Sequence, residues 1–265
     1  MNIFALTLTW NNKSKLDALY QSLKDIDNLV WLIRDNDSED GTEELVHSWN
    51  CDFVRYFKYP NNFENFSQGN NYLYEKALRL GVDKEGDYIL LLNDDIVFNN
   101  TESLNAMISL FADKVAIVGS RLLYPDGRLQ HAGVVFVENE KGRFPHNYRS
   151  GEADDAVSRM NREFQAVTGA CMLVRAKYVQ NVLLDNSLSW GFDDVDLCLR
   201  QVQRKKRVLY CGEADIIHDE SSSLNKNPVN HKNFFKNLAY FNRRWAGKFD
   251  VDMSKYQNNT NYKAV

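Results

Sequence analysis

Asp87-Tyr-Ile-Leu-Leu-Leu-Asn-Asp-Asp-Ile-Val-Phe98 is the stretch whose reading decides the fold. Its apolar run from Tyr88 to Leu92 is too short for an ordinary helix and has polar flanks. A strand buried on both faces reads this way, as in a parallel sheet with helices packed on either side. The run stops abruptly at Asn93, Asp94 and Asp95. Open α/β sheets bind their ligands at the carboxyl ends of the strands. Adjacent carboxylates there repel one another unless a cation sits between them. Hard oxygen ligands suit Mg²⁺ or Mn²⁺, and either ion suits a diphosphate-bearing substrate. Asn and Asp are also ordinary turn residues, so this stretch alone leaves a polar turn and a metal site both open.

Outward from it, strand and helix patterns alternate. Residues 3–9 are β-rich, and residues 15–23 place Leu16, Leu19, Tyr20 and Leu23 at helical spacing. Residues 29–33 form a second apolar run, ending in Arg34-Asp-Asn-Asp-Ser-Glu-Asp-Gly-Thr42. Thr42 or Asp40 can cap a helix over 43–49. Residues 53–59 read as a strand, 61–71 as an Asn-rich loop, and 72–80 again as a helix. This alternation is the βαβ signature of a parallel sheet. Three strands thus end in polar loops, at Thr9 to Asn12, Asp35 to Ser38 and Asn93 to Asp95, which line one crevice if the strands are neighbours. Neither G-x-G-x-x-G nor a P-loop is present, so a dinucleotide dehydrogenase or P-loop kinase lacks its phosphate cradle.

Beyond Phe98 the pattern changes. A helix is predicted over 103–111 and strands over 115–119, 133–137, 166–174 and 208–211, with a Pro-Asp-Gly turn near 125–127. Residues 141–162 are polar and weakly patterned, and read as a lid or binding loop. Ser189-Trp-Gly-Phe-Asp-Asp-Val-Asp-Leu-Cys-Leu-Arg200 is more informative. Phe192, Val195, Leu199 and Val202 share a helical face, Asp193 suits the N-cap, and Asp194 and Asp196 fall in the first turn, where acids offset the macrodipole. That accounts for one or two acids. Trp190 and Phe192 flanking Gly191 make an aromatic platform of the kind that holds a sugar ring, and a carboxylate beside it can accept a proton from a hydroxyl. His218 follows Ile216-Ile217; a lone His there is either structural or a further ligand for a metal at residues 93–95.

The 265 residues suffice for one large α/β domain, 44% of them are hydrophobic, and no repeat or domain boundary stands out. The net charge of −4 is a poor match for a protein held to nucleic acid mainly by phosphate contacts. The first ten residues read as a strand rather than a signal peptide, and no apolar run approaches the length of a membrane span. The four cysteines form no C-x-x-C pair; Cys171 and Cys198, among apolar residues, read as reduced core thiols, which fits a cytoplasmic setting.

Taken in order, these pieces resemble the family 2 glycosyltransferases of the GT-A fold. The resemblance runs from about residue 3 to 223. It rests on Thr7-Leu-Thr-Trp-Asn-Asn12, the stretch from Asp35 to Thr42, Leu92-Asn-Asp-Asp-Ile96, Asp126-Gly-Arg-Leu-Gln-His-Ala-Gly133, Thr168-Gly-Ala-Cys171, the stretch from Phe192 to Arg200, and His218. It implies a single α/β domain over 1–223, Rossmann-like, with a mixed, mainly parallel sheet flanked by helices. Residues 1–98 would form the nucleotide-sugar half, 99–223 the acceptor half and 224–265 a helical tail. By resemblance Thr7, Thr9, Asn11, Asp35, Asn93 and Asp94 bind the donor, with Asp35 at the base and Asn93 at the ribose. Asp95 and His218 would hold Mn²⁺ or Mg²⁺, and Asp194 would be the general base. Trp190, Phe192, Asp193 and His131 would face the acceptor. The family pattern is departed from at Asn93, Asp193, Asp37 and Lys205-Lys206. The implied reaction is inverting transfer from a nucleotide diphosphate sugar, a UDP-sugar first, to a glycan hydroxyl. The basic-aromatic tail adds a hydroxylated DNA base as a second acceptor. A metal-dependent nucleotidyltransferase and a non-catalytic nucleotide-sugar-binding module are the alternatives. In the tail Phe234, Leu238 and Phe241 share a helical face, and the Asn-rich stretch 258–261 is expected to fray.

Overall fold

The apolar runs pair edge to edge in one twisted sheet. The computed structural model of the chain describes residues 1–59, 65–140, 142–179, 181–189, 191–220 and 228–265, with the side chains of 228–233 left aside. The first half runs β1 (Ile3–Thr9), α1 (Lys13–Leu23), β2 (Leu29–Asp35), α2 (Thr42–Ser48), β3 (Val54–Lys58), α3 (Phe66–Arg79) and β4 (Tyr88–Leu92). Then come β5 (Ile96–Phe98), α4 (Glu102–Ser109), β6 (Val115–Leu123), β7 (Leu129–His131), β8 (Val134–Asn139), β9 (Gly142–Asn147), β10 (Arg162–Phe164) and β11 (Cys171–Arg175). The chain closes with α5 (Asp193–Gln203), β12 (Arg207–His218), α6 (Pro228–Trp245) and α7 (Met253–Asn258).

The main sheet has the order β10-β12-β6-β11-β4-β1-β2-β3, with β5 added to β12 and β7 to β6. β3, β2, β1 and β4 are all parallel, in a register that sets Leu6 beside Leu32 and Leu91. β11 enters antiparallel between β4 and β6, and β12 runs parallel to β6. The sheet is thus the mixed, helix-flanked one expected, and its parallel half brings the ends of β1, β2 and β4 to one rim. The unbroken apolar run of β4 has a simple cause: Tyr88, Leu90 and Leu92 enter one core while Ile89 and Leu91 enter the other. Leu16, Leu19 and Leu23 of α1 cover the first of these faces, and Leu73, Tyr74 and Ala77 of α3 the second.

Three expectations need correction. Half of the predicted Asn-rich loop over 61–71 is helix: Asn65 accepts from Gln68 N at 2.9 Å, and Gln68 Oε1 accepts from Asn65 N at 3.1 Å, a reciprocal cap that starts α3 at Phe66. Residues 61–64 lie outside the described residues. The polar stretch over 141–162 is not a free lid. Its start is β9, paired antiparallel with β8, and its remainder is tied down by ion pairs from Arg149 to Asp155 (2.6 Å) and from the buried Arg121 to Asp154 (2.6 Å). The C-terminus does not fray. Glu163 N donates to Lys263 O and Val265 N to Asn161 O, each at 3.0 Å, while the buried Tyr256 of α7 donates its hydroxyl to Glu163 O at 2.6 Å.

The α6 helix is also part of the fold, since Phe241 and Trp245 lie in the larger core. Gly133 shows why the turn before β8 is glycine: its φ is +105°, and a Cβ there would lie 2.4 Å from the Phe164 ring. All four cysteines are free thiols. Among the described residues no helix is long and apolar enough to cross a membrane.

Candidate active site

The rim of the parallel half is a connected set of loops. Thr9 O accepts from Asn36 N at 2.9 Å, and Thr9 Oγ1 donates to Asp94 Oδ2 at 2.8 Å, joining β1 to the ends of β2 and β4. Asn11 has a left-handed φ of +48°, donates its N–H to Ser38 Oγ and accepts from Glu39 N, both at 2.8 Å. Asp35 is fully buried. Its carboxylate accepts from Ser38 N (2.8 Å) and from Tyr56 OH (2.5 Å), so it shapes the 36–38 loop. Burial, then the Asp35 carboxylate, push the Tyr56 phenol far above its usual range. Thr7 sits two residues below the rim, buried, accepting from Trp31 Nε1 at 2.8 Å. Burial, with Asp95 adding to it, pushes the Asp94 carboxyl up to about 7.

Asp95 and His218 meet because β5 pairs antiparallel with the end of β12, setting His218 opposite Ile96. His218 Nε2 lies 3.0 Å from Asp95 Oδ1, and both residues are buried. The other ring nitrogen lies 2.6 Å from Gln130 Oε1. Gln130 donates its amide to Glu220 Oε2 at 3.2 Å, so its oxygen is the atom that faces the histidine. Nδ1 therefore carries the hydrogen, and Nε2 faces both the Asp95 carboxylate and, at 3.4 Å, the side-chain nitrogen of Asn93. The juxtaposition of Nε2 and the carboxylate calls for a proton or a cation between them. A spacing of 3.0 Å suits a hydrogen bond and equally suits two ligands about 2.1 Å from one octahedral ion. Among the described residues no set of three or more His, Cys, Asp or Glu gathers to hold a metal. Two protein ligands with substrate oxygens and water completing the shell is the usual arrangement for such an ion at a diphosphate. Were Asp95 and His218 to hold such an ion, Gln130→Leu would leave the chain folded and weaken Mn²⁺ binding, read by electron paramagnetic resonance titration, by about tenfold to a hundredfold.

The acid cluster opens α5, which starts from two successive left-handed residues, Gly191 (φ +75°) and Phe192 (φ +69°). Asp193 is therefore the first helical residue and not the N-cap expected of it. Asp194 Oδ2 accepts from Gly169 N at 2.8 Å and its Oδ1 from Val195 N at 2.7 Å. Gly169 permits this approach, because a Cβ there would stand 3.0 Å from Asp194 Cβ. Burial raises the Asp194 carboxyl above its usual range; burial and then the neighbouring Asp194 raise Asp193. Asp194 keeps partial exposure, whereas Asp193 is 5% exposed and faces Ser67 Oγ at 3.4 Å. Asp196 is fully buried, between Arg200 Nε (2.8 Å), Arg244 Nε (2.9 Å) and Trp245 Nε1 (3.0 Å), and clamps α6 to α5.

Of the residues expected at the acceptor, Trp190 lies outside the described residues. Phe192 is buried against Phe234 and Phe241 of α6, at ring-centroid distances of 5.2 and 5.3 Å. His131 is fully buried, and burial pulls its imidazole down to about 4. Its Nδ1 lies 2.9 Å from Ser120 O, and Thr168 N donates to its Nε2 at 3.2 Å. His131 thus holds the Thr168 backbone one residue before the Gly169 N–H that reaches Asp194. Gln130, Tyr56 and Ser67 are the site residues that pattern reading passed over. Gln130 lay within a stretch already singled out, but nothing local marks it as a partner of His218.

A model of the glycosyl transferase family 2 matches residues 5–183. The uncharacterized protein y4gI of Sinorhizobium fredii is 31% identical over 171 residues, 62% of this chain and 19% of its own length. The O-antigen biosynthesis protein RfbC of Myxococcus xanthus is 26% identical over 225 residues, 82% of this chain and 17% of its own. The chain thus spans under a fifth of these relatives. Among solved structures, the mannosyltransferase PcManGT of Pyrobaculum calidifontis, in complex with GDP-Man and Mn²⁺, superposes with a TM-score of 0.61 at 12% identity, covering 91% of this chain and 64% of that one. Residues 1–349 of TarS from S. aureus, in complex with UDP, give 0.57 at 13% identity, covering 98% and 75%.

Proposed function

The chain belongs to glycosyl transferase family 2, and on that footing we propose that it transfers a sugar, with inversion, from a UDP-sugar to a hydroxyl of a glycan. The observation that carries the donor side is the buried Asp95–His218 pair, 3.0 Å apart, with Gln130 fixing which ring nitrogen faces the carboxylate. A divalent ion held by Asp95 and His218 would supply the positive charge that makes a nucleoside diphosphate a good leaving group. The chain's own residues do the rest. Asp35, Ser38 and Asn11 shape the loop beside the nucleotide, and Thr9 holds Asp94 at the floor of the crevice. Asp194 accepts the acceptor's proton as its oxygen bonds to the anomeric carbon. The carbon–oxygen bond to the diphosphate breaks on the opposite face, through an oxocarbenium-like transition state. No covalent intermediate is needed, so one base suffices. Burial raises the affinity of Asp194 for a proton, which suits that role.

The solved neighbours described above carry GDP-Man with Mn²⁺ in one case and UDP in the other, and the RfbC relative is named for O-antigen biosynthesis. These support a nucleotide-sugar donor, a divalent ion and a surface glycan as acceptor. The family match displaces the nucleotidyltransferase alternative, and the net charge of −4 weighs against DNA. Isothermal titration with UDP and with GDP, each with and without Mn²⁺, tests the donor side. UDP is expected to bind more tightly than GDP and to need the ion. UDP binding of equal strength with and without Mn²⁺ would refute the metal bridge.

A further inference from the structure

The loop before α5 and one face of α6 enclose a cavity of about 560 Å³ whose wall includes Ser189, Lys236, Asn237, Tyr240 and Arg243. That volume is in the range of small-ligand sites. The cavity is joined to the acid pair by short contacts. Ser67 Oγ donates to Leu188 O at 3.1 Å and lies 3.4 Å from Asp193 Oδ2, and the residue after Leu188, Ser189, donates its hydroxyl to Asn237 Oδ1 at 3.4 Å.

The charges on this wall are unevenly satisfied. Asp185, one residue before the wall residue Asn186, is already taken, by Arg244 Nη1 and Tyr240 OH, both at 2.9 Å. Lys236 and Arg243 are exposed, and among the described residues neither is in an ion pair. They are seven residues apart, two helical turns, so they share a face and stand about 10 Å apart along the axis. Arg243 also lies 5.7 Å from the Tyr240 ring. A guanidinium offers a planar fork matched to a carboxylate or phosphate, and an ammonium offers a point charge for a second one. With a net charge of −4, the chain as a whole repels anions, so a local pair of cations with no acidic partner among the described residues stands out.

We propose that this cavity is an acceptor subsite for an anionic saccharide, taking carboxylate or phosphate groups of the acceptor on Lys236 and Arg243 while one of its hydroxyls meets Asp194. This rests on the glycan-acceptor reading above and narrows it to a chemical class. The test uses three probes of matched length: an oligogalacturonate for carboxylate, an oligo(glycerol phosphate) for phosphate, and a neutral malto-oligosaccharide. Binding to the full chain in the presence of UDP and Mn²⁺ is measured for the parent and for Lys236→Gln/Arg243→Gln. One anionic probe is expected to bind the parent at least tenfold more tightly than the neutral one. That preference should shrink as salt rises from 50 to 500 mM, about the range over which such contacts are screened, and vanish in the double variant. Whichever anionic probe shows it assigns the group. Equal binding of all three probes, or a preference that survives the double variant, would overturn the subsite. UDP affinity, measured alongside, should be the same in both proteins. Failure of UDP to bind the parent would instead overturn the donor reading, and this inference with it.

Discussion

Asp194→Asn is expected to bind UDP and Mn²⁺ like the parent and to turn over about a hundredfold more slowly or worse, the scale of a lost general base. The geometry makes the variant informative. The Asp194 carboxylate accepts from two backbone N–H groups, Gly169 and Val195. Asparagine keeps an oxygen for one of them and turns an NH₂ toward the other. One unmet donor costs about 1–3 kcal/mol, which thermal unfolding would register without loss of the fold. Asp193→Asn is the matched control: it changes a buried carboxyl that faces Ser67 and leaves Asp194 in place. A purely structural Asp194 predicts the reverse ordering, a stability loss with turnover within a few-fold of the parent. That result, in a folded variant that still binds UDP, would remove Asp194 as base. It would not transfer the role to Asp196, whose oxygens are committed to Arg200, Arg244 and Trp245.

Asp95→Asn is expected to lose the Mn²⁺-dependent part of UDP affinity, about a hundredfold, since a bound cation contributes several kcal/mol at a developing anionic charge. The amide is nearly isosteric, and neutral Nε2 of His218 can accept its N–H, so the pair stays hydrogen-bonded and the rim should hold its shape. His218→Ala removes the other ligand and should have the same sign. The measurement is calorimetric titration of UDP at fixed Mn²⁺, paired with melting curves. UDP affinity that still responds to Mn²⁺ in Asp95→Asn to the parent's extent would place the ion elsewhere. Together the two variants separate the site: one loses chemistry and keeps the donor, the other loses the donor.

The fold class was legible because short-range pattern reports burial. Five apolar residues between polar flanks, Tyr88 to Leu92, can be satisfied only by a strand covered on both faces, and all five are buried. The same locality made Asn93 to Asp95 readable as the end of that strand, and Asp194 readable as an acid in the first turn of a helix. Local pattern failed where a segment's partners lie elsewhere. Residues 65–71 carry too many Asn for a helix by propensity, yet the reciprocal Asn65–Gln68 cap and the packing of Leu73, Tyr74 and Ala77 on the sheet outweigh it. The C-terminus looked free until it met Asn161 to Glu163.

The division within the site has the same cause. The sequence by itself determined which chemistry is present: carboxylates at strand ends, an imidazole after an apolar strand, three acids in one helical turn. Only the tertiary structure decided what each of them does. Asp193, Asp194 and Asp196 are near-equivalents along the chain, but Ser67, Gly169 and the Arg244–Trp245 pair come from three different elements and separate them. His131 and His218 likewise look alike in sequence. The first is enclosed between Ser120 and Thr168, and the second is turned by Gln130 toward Asp95. Hydrogen-bond partners are set by which strands become neighbours when the sheet closes. Periodicity along the chain records only that a residue is buried, not what it is buried against.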